Sequence, residues 1–203
     1  MTPELLDKDV YSPGDLLGIA DGHRYDLVDG SLLERDMGPV SSWVGGELYA
    51  RLRDHCRAGR VGWVWHADAG FELFSSRMVR YPDVAVVRYG RLPNEVLPDG
   101  HIKLPPDLVA EVVSPRDRAD DLEEKLRDYR KAGVRLVWVI FPAVGMARVH
   151  RPDRTVTEIG VEEILSGEDV LPGFQVRLGD LFPNPPELPQ ATGAPADPQA
   201  SPA

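Results

Sequence analysis

The chain is short of the features that would settle its class at once. It has a single cysteine, Cys56, among 203 residues, which excludes an internal disulfide and any cysteine-rich zinc site. Cys56 reads instead as a small buried residue on a helix. Its most apolar stretch, Leu136 to Val144, is nine residues long, far below the roughly 20 that span a bilayer. The first residues, MTPELLDKDVYSPGDLLG, carry acids and turn formers where a secretory leader needs a basic start and an apolar run. The expectation is a cytoplasmic protein with no membrane partner. Positive charge is scarce as well, with 23 Lys and Arg against 33 Asp and Glu and a net charge of −10. That balance excludes indiscriminate, whole-surface attraction to nucleic acid, which lysine and arginine normally drive. The five histidines are scattered without zinc-ligand spacing.

What remains is ordinary globular composition, 42% hydrophobic and 28% charged, enough for one core. The charge is unevenly spread. Residues 1–50 hold 3 basic and 10 acidic side chains, residues 136–203 hold 4 and 9, and residues 51–135 hold 16 and 14. Only the middle segment is slightly basic. After Phe182 the chain turns to NPPELPQATGAPADPQASPA, too poor in apolar surface to fold. The predicted organisation is one domain over 1–183 and a disordered Pro/Ala-rich tail over 184–203.

Ser12-Pro13 predicts the start of a short helix. Asp29-Gly30, between Tyr25–Val28 and Ser31–Glu34, predicts a tight hairpin. Val44, Leu48 and Leu52 recur at helical spacing within 40–56. Gly62–His66, Gly70–Phe74 and Pro82–Val87 read as strands of one sheet. Ser114-Pro115 reads as the N-cap of a helix that follows at once, with Ala119, Leu122, Leu126 and Tyr129 as its apolar face and Ala132-Gly133 as its stop. A strand over 135–140 and a second hairpin, 146–150 with 155–159, complete an α/β (α+β) pattern, a central mixed β-sheet flanked by helices.

One position breaks the pattern. Leu108–Val113 is an apolar strand interrupted by Glu111. Side chains alternate along strands, so if the strand holding Asp83 is its neighbour, the two carboxylates converge. Two close, poorly hydrated anions need a proton, a cationic side chain or a metal between them. Magnesium suits such a pair because it takes oxygen ligands and only one or two carboxylates beside its waters. Lys125 lies at the margin of the apolar stripe, where its amine can reach the sheet or form an i,i+4 pair with Asp121.

The succession YPDVAVV (81–87) and DLVAEVVSPRDRADDLEEKLRDYRKAGVRLVWVI (107–140) resembles the Uma-two family of restriction-endonuclease-like proteins. RYDLVDGSLLE near the start and VLPGFQVRLGDLF near the end are also similar. The resemblance implies a restriction endonuclease-like fold and a PD-(D/E)xK endonuclease using Mg2+ or Mn2+. Asp83 and Glu111 match the acidic positions, and the carbonyl of Val112 is the implied extra metal ligand. Val113 occupies the usual lysine position and carries no charge; the matching lysine is Lys125, on the following helix. Asp26 stands where the family has a glutamate, and Ser41-Ser42 where it often has a histidine.

Other polar residues have structural readings. His66, beside Asp68, reads as a hydrogen-bonded structural residue, Glu72 as a solvated strand residue, and Ser114 as an N-cap without nucleophile-elbow glycines. Arg116, Arg118, Arg127, Arg130 and Lys131 read as an ion-paired helix surface or as phosphate contacts. The functional expectation is a divalent-metal endonuclease acting on nucleic acid, DNA first, with RNA or branched DNA as other substrates. A possible homodimer follows from cutting both strands. The alternative is a non-catalytic nucleic-acid- or protein-binding module on the same fold.

Overall fold

A computed structural model describes residues 8–36 and 38–184. In chain order its elements are α1 (Pro13–Gly18), β1 (Tyr25–Val28), β2 (Ser31–Glu34), α2 (Pro39–Gly59), β3 (Gly62–His66), β4 (Phe71–Glu72), β5 (Val79–Arg80), β6 (Val84–Arg88), β7 (Leu108–Val112), α3 (Ala119–Ala132), β8 (Leu136–Phe141), β9 (Met146–His150), β10 (Val156–Gly160), β11 (Ile164–Ser166) and β12 (Gln175–Arg177). The expected tail lies outside the described residues, apart from its first position.

Local chemistry accounts for several boundaries. Ser12 and Asp15 form a reciprocal capping box at α1, with Pro13 in the first turn. Asp29 and Gly30 both take positive φ, 49° and 91°, as a two-residue turn between twisted antiparallel strands requires. Gly133, at φ 81°, ends α3 in the left-handed conformation that favours glycine.

The central sheet has the order β10-β9-β8-β7-β6-β3. Only the β7–β8 pair is parallel, and α3 supplies the crossover that a parallel pair needs. All of β7 and all but the last residue of β8 are buried, which fits their nearly unbroken apolar sequence in the middle of a covered sheet.

The two faces of this sheet are packed differently. Val84, Val86, Leu108, Ala110, Leu136, Trp138 and Ile140 join Val44, Leu48 and Leu52 of α2 in one continuous core. On the opposite face, Val109, Val137 and Val139 pack beneath Leu126 and Tyr129 of α3. Ala85 and Val87 pack in a separate cluster, under Phe71, Leu92 and Ile102. This second face therefore has a seam between two clusters.

Three expectations are corrected. Gly62–His66 and the strand after Asp83 do share a sheet, but Phe71–Glu72 belongs to a second sheet, β2-β1-β5-β4. Strand partners are chosen over long sequence distances, and the composition of a short run does not encode them. The helix after β7 begins at Ala119, capped by Arg118 without a side-chain hydrogen bond. Residues 114–117 form a turn instead, in which Asp117 accepts the Ser114 N–H at 2.7 Å and returns its own N–H to the Ser114 carbonyl at 3.1 Å. Ala119, placed on the apolar face by its spacing, is exposed.

The layered packing makes a quantitative prediction. Leu48→Ala, on the helix face that covers the sheet, should lower unfolding free energy in urea by about 3 kcal/mol. Val156→Ala on the half-exposed edge strand β10 should change it by less than about 0.5 kcal/mol. Equal losses at the two positions would contradict the assignment of the main core to the α2 side.

Candidate active site

The β6–β7 ladder pairs Val84 with Ala110 and Ala85 with Val109, antiparallel. One step further along the same register, Asp83 stands opposite Glu111 on the face carrying the seam. Opposed residues of an antiparallel pair point to the same side, so the two carboxylates converge as their strand positions predicted. Asp83 is partly buried and Glu111 almost fully.

Asp83 Oδ2 accepts the Val112 N–H at 2.7 Å. The neighbouring proline alters the ladder at this point. Val113 turns its N–H toward β8, donating to the Ile140 carbonyl at 2.8 Å, and the alternation turns the Val112 amide and carbonyl toward β6. The residue opposite Val112 in register is Pro82, which has no N–H to donate. The Pro-Asp dipeptide thus removes a ladder donor from the Val112 carbonyl and supplies a carboxylate to the Val112 amide.

Glu111 is held from α3. Lys125 Nζ donates to Glu111 Oε2 at 3.0 Å, and the Tyr129 hydroxyl donates to Oε1. Residues four apart on a helix share a face, which brings both groups over the end of β7. The ordinary reading of Lys125 as an Asp121 partner is not what the structure contains: its ion pairs are with Glu111 and, at 3.8 Å, Asp26 Oδ2.

A buried second layer supports these contacts. Asp26 on β1 and Arg80 on β5, each 2% exposed, lie one step beyond the Leu27–Val79 pair of the second sheet. Arg80 donates to Asp26 Oδ2 at 3.0 Å and through Nε to Asp128 of α3, also at 3.0 Å. Asp26 Oδ1 accepts the Tyr81 N–H at 2.9 Å. Arg35, also buried, donates to the carbonyls of His23 and Ala67, both at 2.9 Å, and approaches Asp83 Oδ1 at 3.5 Å.

The electrostatics follow from this arrangement. Burial pushes the Asp83 carboxyl up to about 6, the facing Glu111 adds to the rise, and Lys125 and Arg35 only partly oppose it. For Asp26 burial also acts upward, but Lys125, Arg80 and Arg35 outweigh it and hold the carboxyl below its usual range. The Lys125 ammonium is favoured above its ordinary value because Glu111, Asp26 and Asp83 outweigh the cost of burial. Burial and Glu111 raise the Tyr129 hydroxyl well above its usual range, so it stays a proton donor.

Asp26, Asp83, Glu111, Val112 and Lys125 line one cleft of about 680 Å3. Arg116 and Arg118 line it too. They stand on the turn before α3, not on a helix, and make no ion pair among the described residues. Arg127, Arg130 and Lys131 do not line the cleft. Among the described residues no group of three or more His, Cys, Asp or Glu side chains is placed to hold a metal ion. The available donor set is two carboxylates and the Val112 carbonyl, all hard oxygen donors. A set this small fits magnesium, which keeps several waters, and the raised Asp83 carboxyl marks a place where a cation would be favourable.

The remaining candidates separate. His66 is exposed, with Asp68 3.7 Å away, so it is not the hydrogen-bonded structural histidine expected. It faces Tyr49 edge-on in a groove that adjoins Asp83. Glu72 lines a different groove with Ser76 and Lys103. Ser41 and Ser42 line the groove beside Asp83. Sequence reasoning missed Tyr129 as a polar contact, together with Arg35, Arg80 and Asp128. Arg80, a charge in the apolar run MVRY, was the available signal.

No curated protein matches the chain. Its fold matches the crystal structure of "a putative nuclease belonging to DUF820" from Anabaena variabilis ATCC 29413, with a TM-score of 0.71 at 16% identity over 84% of this chain and 97% of that one. The architecture is the restriction endonuclease-like one, a central mixed sheet flanked by helices. The sequence matches the family Uma2, described as "Putative restriction endonuclease", over residues 14–179. The chain belongs to the Uma2 family.

Proposed function

We propose that this protein is a divalent-metal-dependent endonuclease that hydrolyses phosphodiester bonds in DNA. The observation that carries the reading is the convergence of Asp83, Glu111 and the Lys125 amine in one cleft, with a Val112 carbonyl turned toward the same ladder end. Asp83, Glu111 and that carbonyl would hold Mg2+ or Mn2+. When bound, the ion supplies polarisation of a phosphoryl oxygen and a more acidic water.

The protein's own groups then divide the remaining work. Lys125, held as an ammonium by three carboxylates, orients the attacking water and stabilises negative charge that develops on the phosphorus oxygens. Tyr129 fixes the Glu111 carboxylate, and the Asp26–Arg80–Asp128 chain holds α3 against the second sheet. Arg116 and Arg118 stand at the cleft, without an ion pair among the described residues, and their guanidinium groups suit backbone phosphates. Cutting both strands of a duplex calls for two such clefts, which a homodimer provides. The described helices include none long and apolar enough to cross a membrane; the proposal places a single catalytic domain, ending near residue 183, in the cytoplasm.

Two measurements test this reading. In calorimetry, Mn2+ should bind the wild-type protein and Asp83→Asn should abolish that binding. Lys125→Ala should keep it while slowing plasmid cleavage by about 100-fold or more. Absence of Mn2+ binding and of cleavage in the wild type would instead favour a binding module on this fold.

The second test uses stability against pH. The folded-state pKa of Asp83, about 6, is above its ordinary 3.8, so the folded protein takes up this proton more readily than the unfolded chain. In metal-free protein the ionised carboxylate therefore costs stability above pH 6, and the cost is relieved as pH falls from about 6 toward about 4. Asp83→Asn should raise Tm at pH 7.5, and the gain should vanish by about pH 4. A Tm loss at pH 7.5 would show that Asp83 is stabilising and not strained.

A further inference from the structure

Arg35 is a buried cation at the cleft whose hydrogen-bonding capacity is left partly unused among the described residues. It follows β2, is 8% exposed, and lines the same cleft as Lys125. Its Nη1 is fixed by the His23 and Ala67 carbonyls, and the Tyr81 ring lies 5.6 Å from the guanidinium carbon. Among the described residues Nε has no hydrogen-bond partner, and Nη2 has only Asp83 Oδ1 at 3.5 Å, beyond the usual range for a strong bond. By comparison, Arg80 shares its donors between Asp26 and Asp128.

An arginine offers five N–H groups in a rigid fork matched to carboxylate and phosphate oxygens. Burying it with an open donor is costly, and a structural guanidinium would be expected to close on Asp83 at normal length. Here the fork is pinned at Nη1, and Nη2 is left beside the carboxylate that faces the cleft.

We infer that Arg35 is a phosphate-binding residue, taking a non-bridging oxygen of the phosphodiester that enters beside Asp83. It supplies a fixed positive charge in addition to that of Lys125. The inference rests on the nuclease reading for its substrate, but the anion site can be tested separately. With Arg35 and Lys125 both lining the cleft, the phosphate is gripped by two cations from different elements, β2's end and α3.

The test uses wild-type protein first, so it does not depend on a variant folding. Guanidinium 15N–1H resonances, with Arg35 assigned by their loss in Arg35→Lys, are followed while a phosphorothioate-linked dithymidine is titrated in. The expected result is a saturable shift of the Arg35 signals. Unmoved Arg35 signals, with shifts confined to Arg116, Arg118 or Lys125, would overturn the inference. A shift at Arg35 without any Mn2+-dependent cleavage would keep the anion site and sink the nuclease reading. Cleavage with Arg35 silent would do the reverse.

Arg35→Gln supplies the kinetic arm. Removing a cation beside Asp83 should leave Mn2+ binding equal or tighter while cleavage falls by about 100-fold, and Arg35→Lys should recover part of that loss. An Arg35 that only neutralised Asp83 would give unchanged cleavage in Arg35→Gln, and that outcome would also overturn the inference.

Discussion

Two carboxylates set against each other at the end of the β6–β7 ladder are the constraint around which the rest of the molecule is arranged. Opposed like charges with little water repel and lose solvation, so Asp83 and Glu111 need partners from outside their own strands. Each partner ties a different element to the same point. Lys125 and Tyr129 bring α3 over β7, and Arg35 brings the end of β2 to the start of β6. Arg80 then links β5, β1 and α3 through Asp26 and Asp128. Removing one of the cations from such a buried ionic set typically costs about 3–5 kcal/mol, because the carboxylate it served is stranded. The second sheet is thereby a support for the first, although they share no strand.

The same constraint explains how the chain does without a charge at position 113. Val113 is partly buried against the α3 cluster, where an ammonium would be poorly solvated. In the proposed site the amine comes instead from the helix, at a position where three carboxylates favour its charged form. A long flexible stem makes this relocation geometrically easy: what matters is where the nitrogen ends, and Cα positions on two different elements can deliver it to the same place.

Much of this was legible in the sequence, for identifiable reasons. Asp29-Gly30, Ser12-Pro13 and Gly133 are local signals, and each sits where backbone chemistry requires it. Asp83 and Glu111 could be paired because strand alternation is a rule of local geometry. The partition of strands between two sheets was not legible, since Phe71–Glu72 pairs with β5 and not with the strands its composition resembles. Nor was the start of α3: Ser114-Pro115-Arg116-Asp117 has the composition of a helix start but closes as a turn. The partners of Arg35 and Arg80 could not be assigned because a contact across 48 positions, as in Arg35–Asp83 and Arg80–Asp128, leaves no trace in spacing.

The unequal faces of the central sheet carry a consequence for how such a protein changes over time. Even-numbered residues of β6 and β7 hold the continuous core against α2, whereas the odd-numbered ones end in the carboxylates at the seam. The main core and the proposed site thus fall on alternating positions of the same strands. Hydrophobic replacements can accumulate in one set without displacing the other, provided volume is conserved. A fold shared at 16% identity with the Anabaena protein is what this division of positions permits.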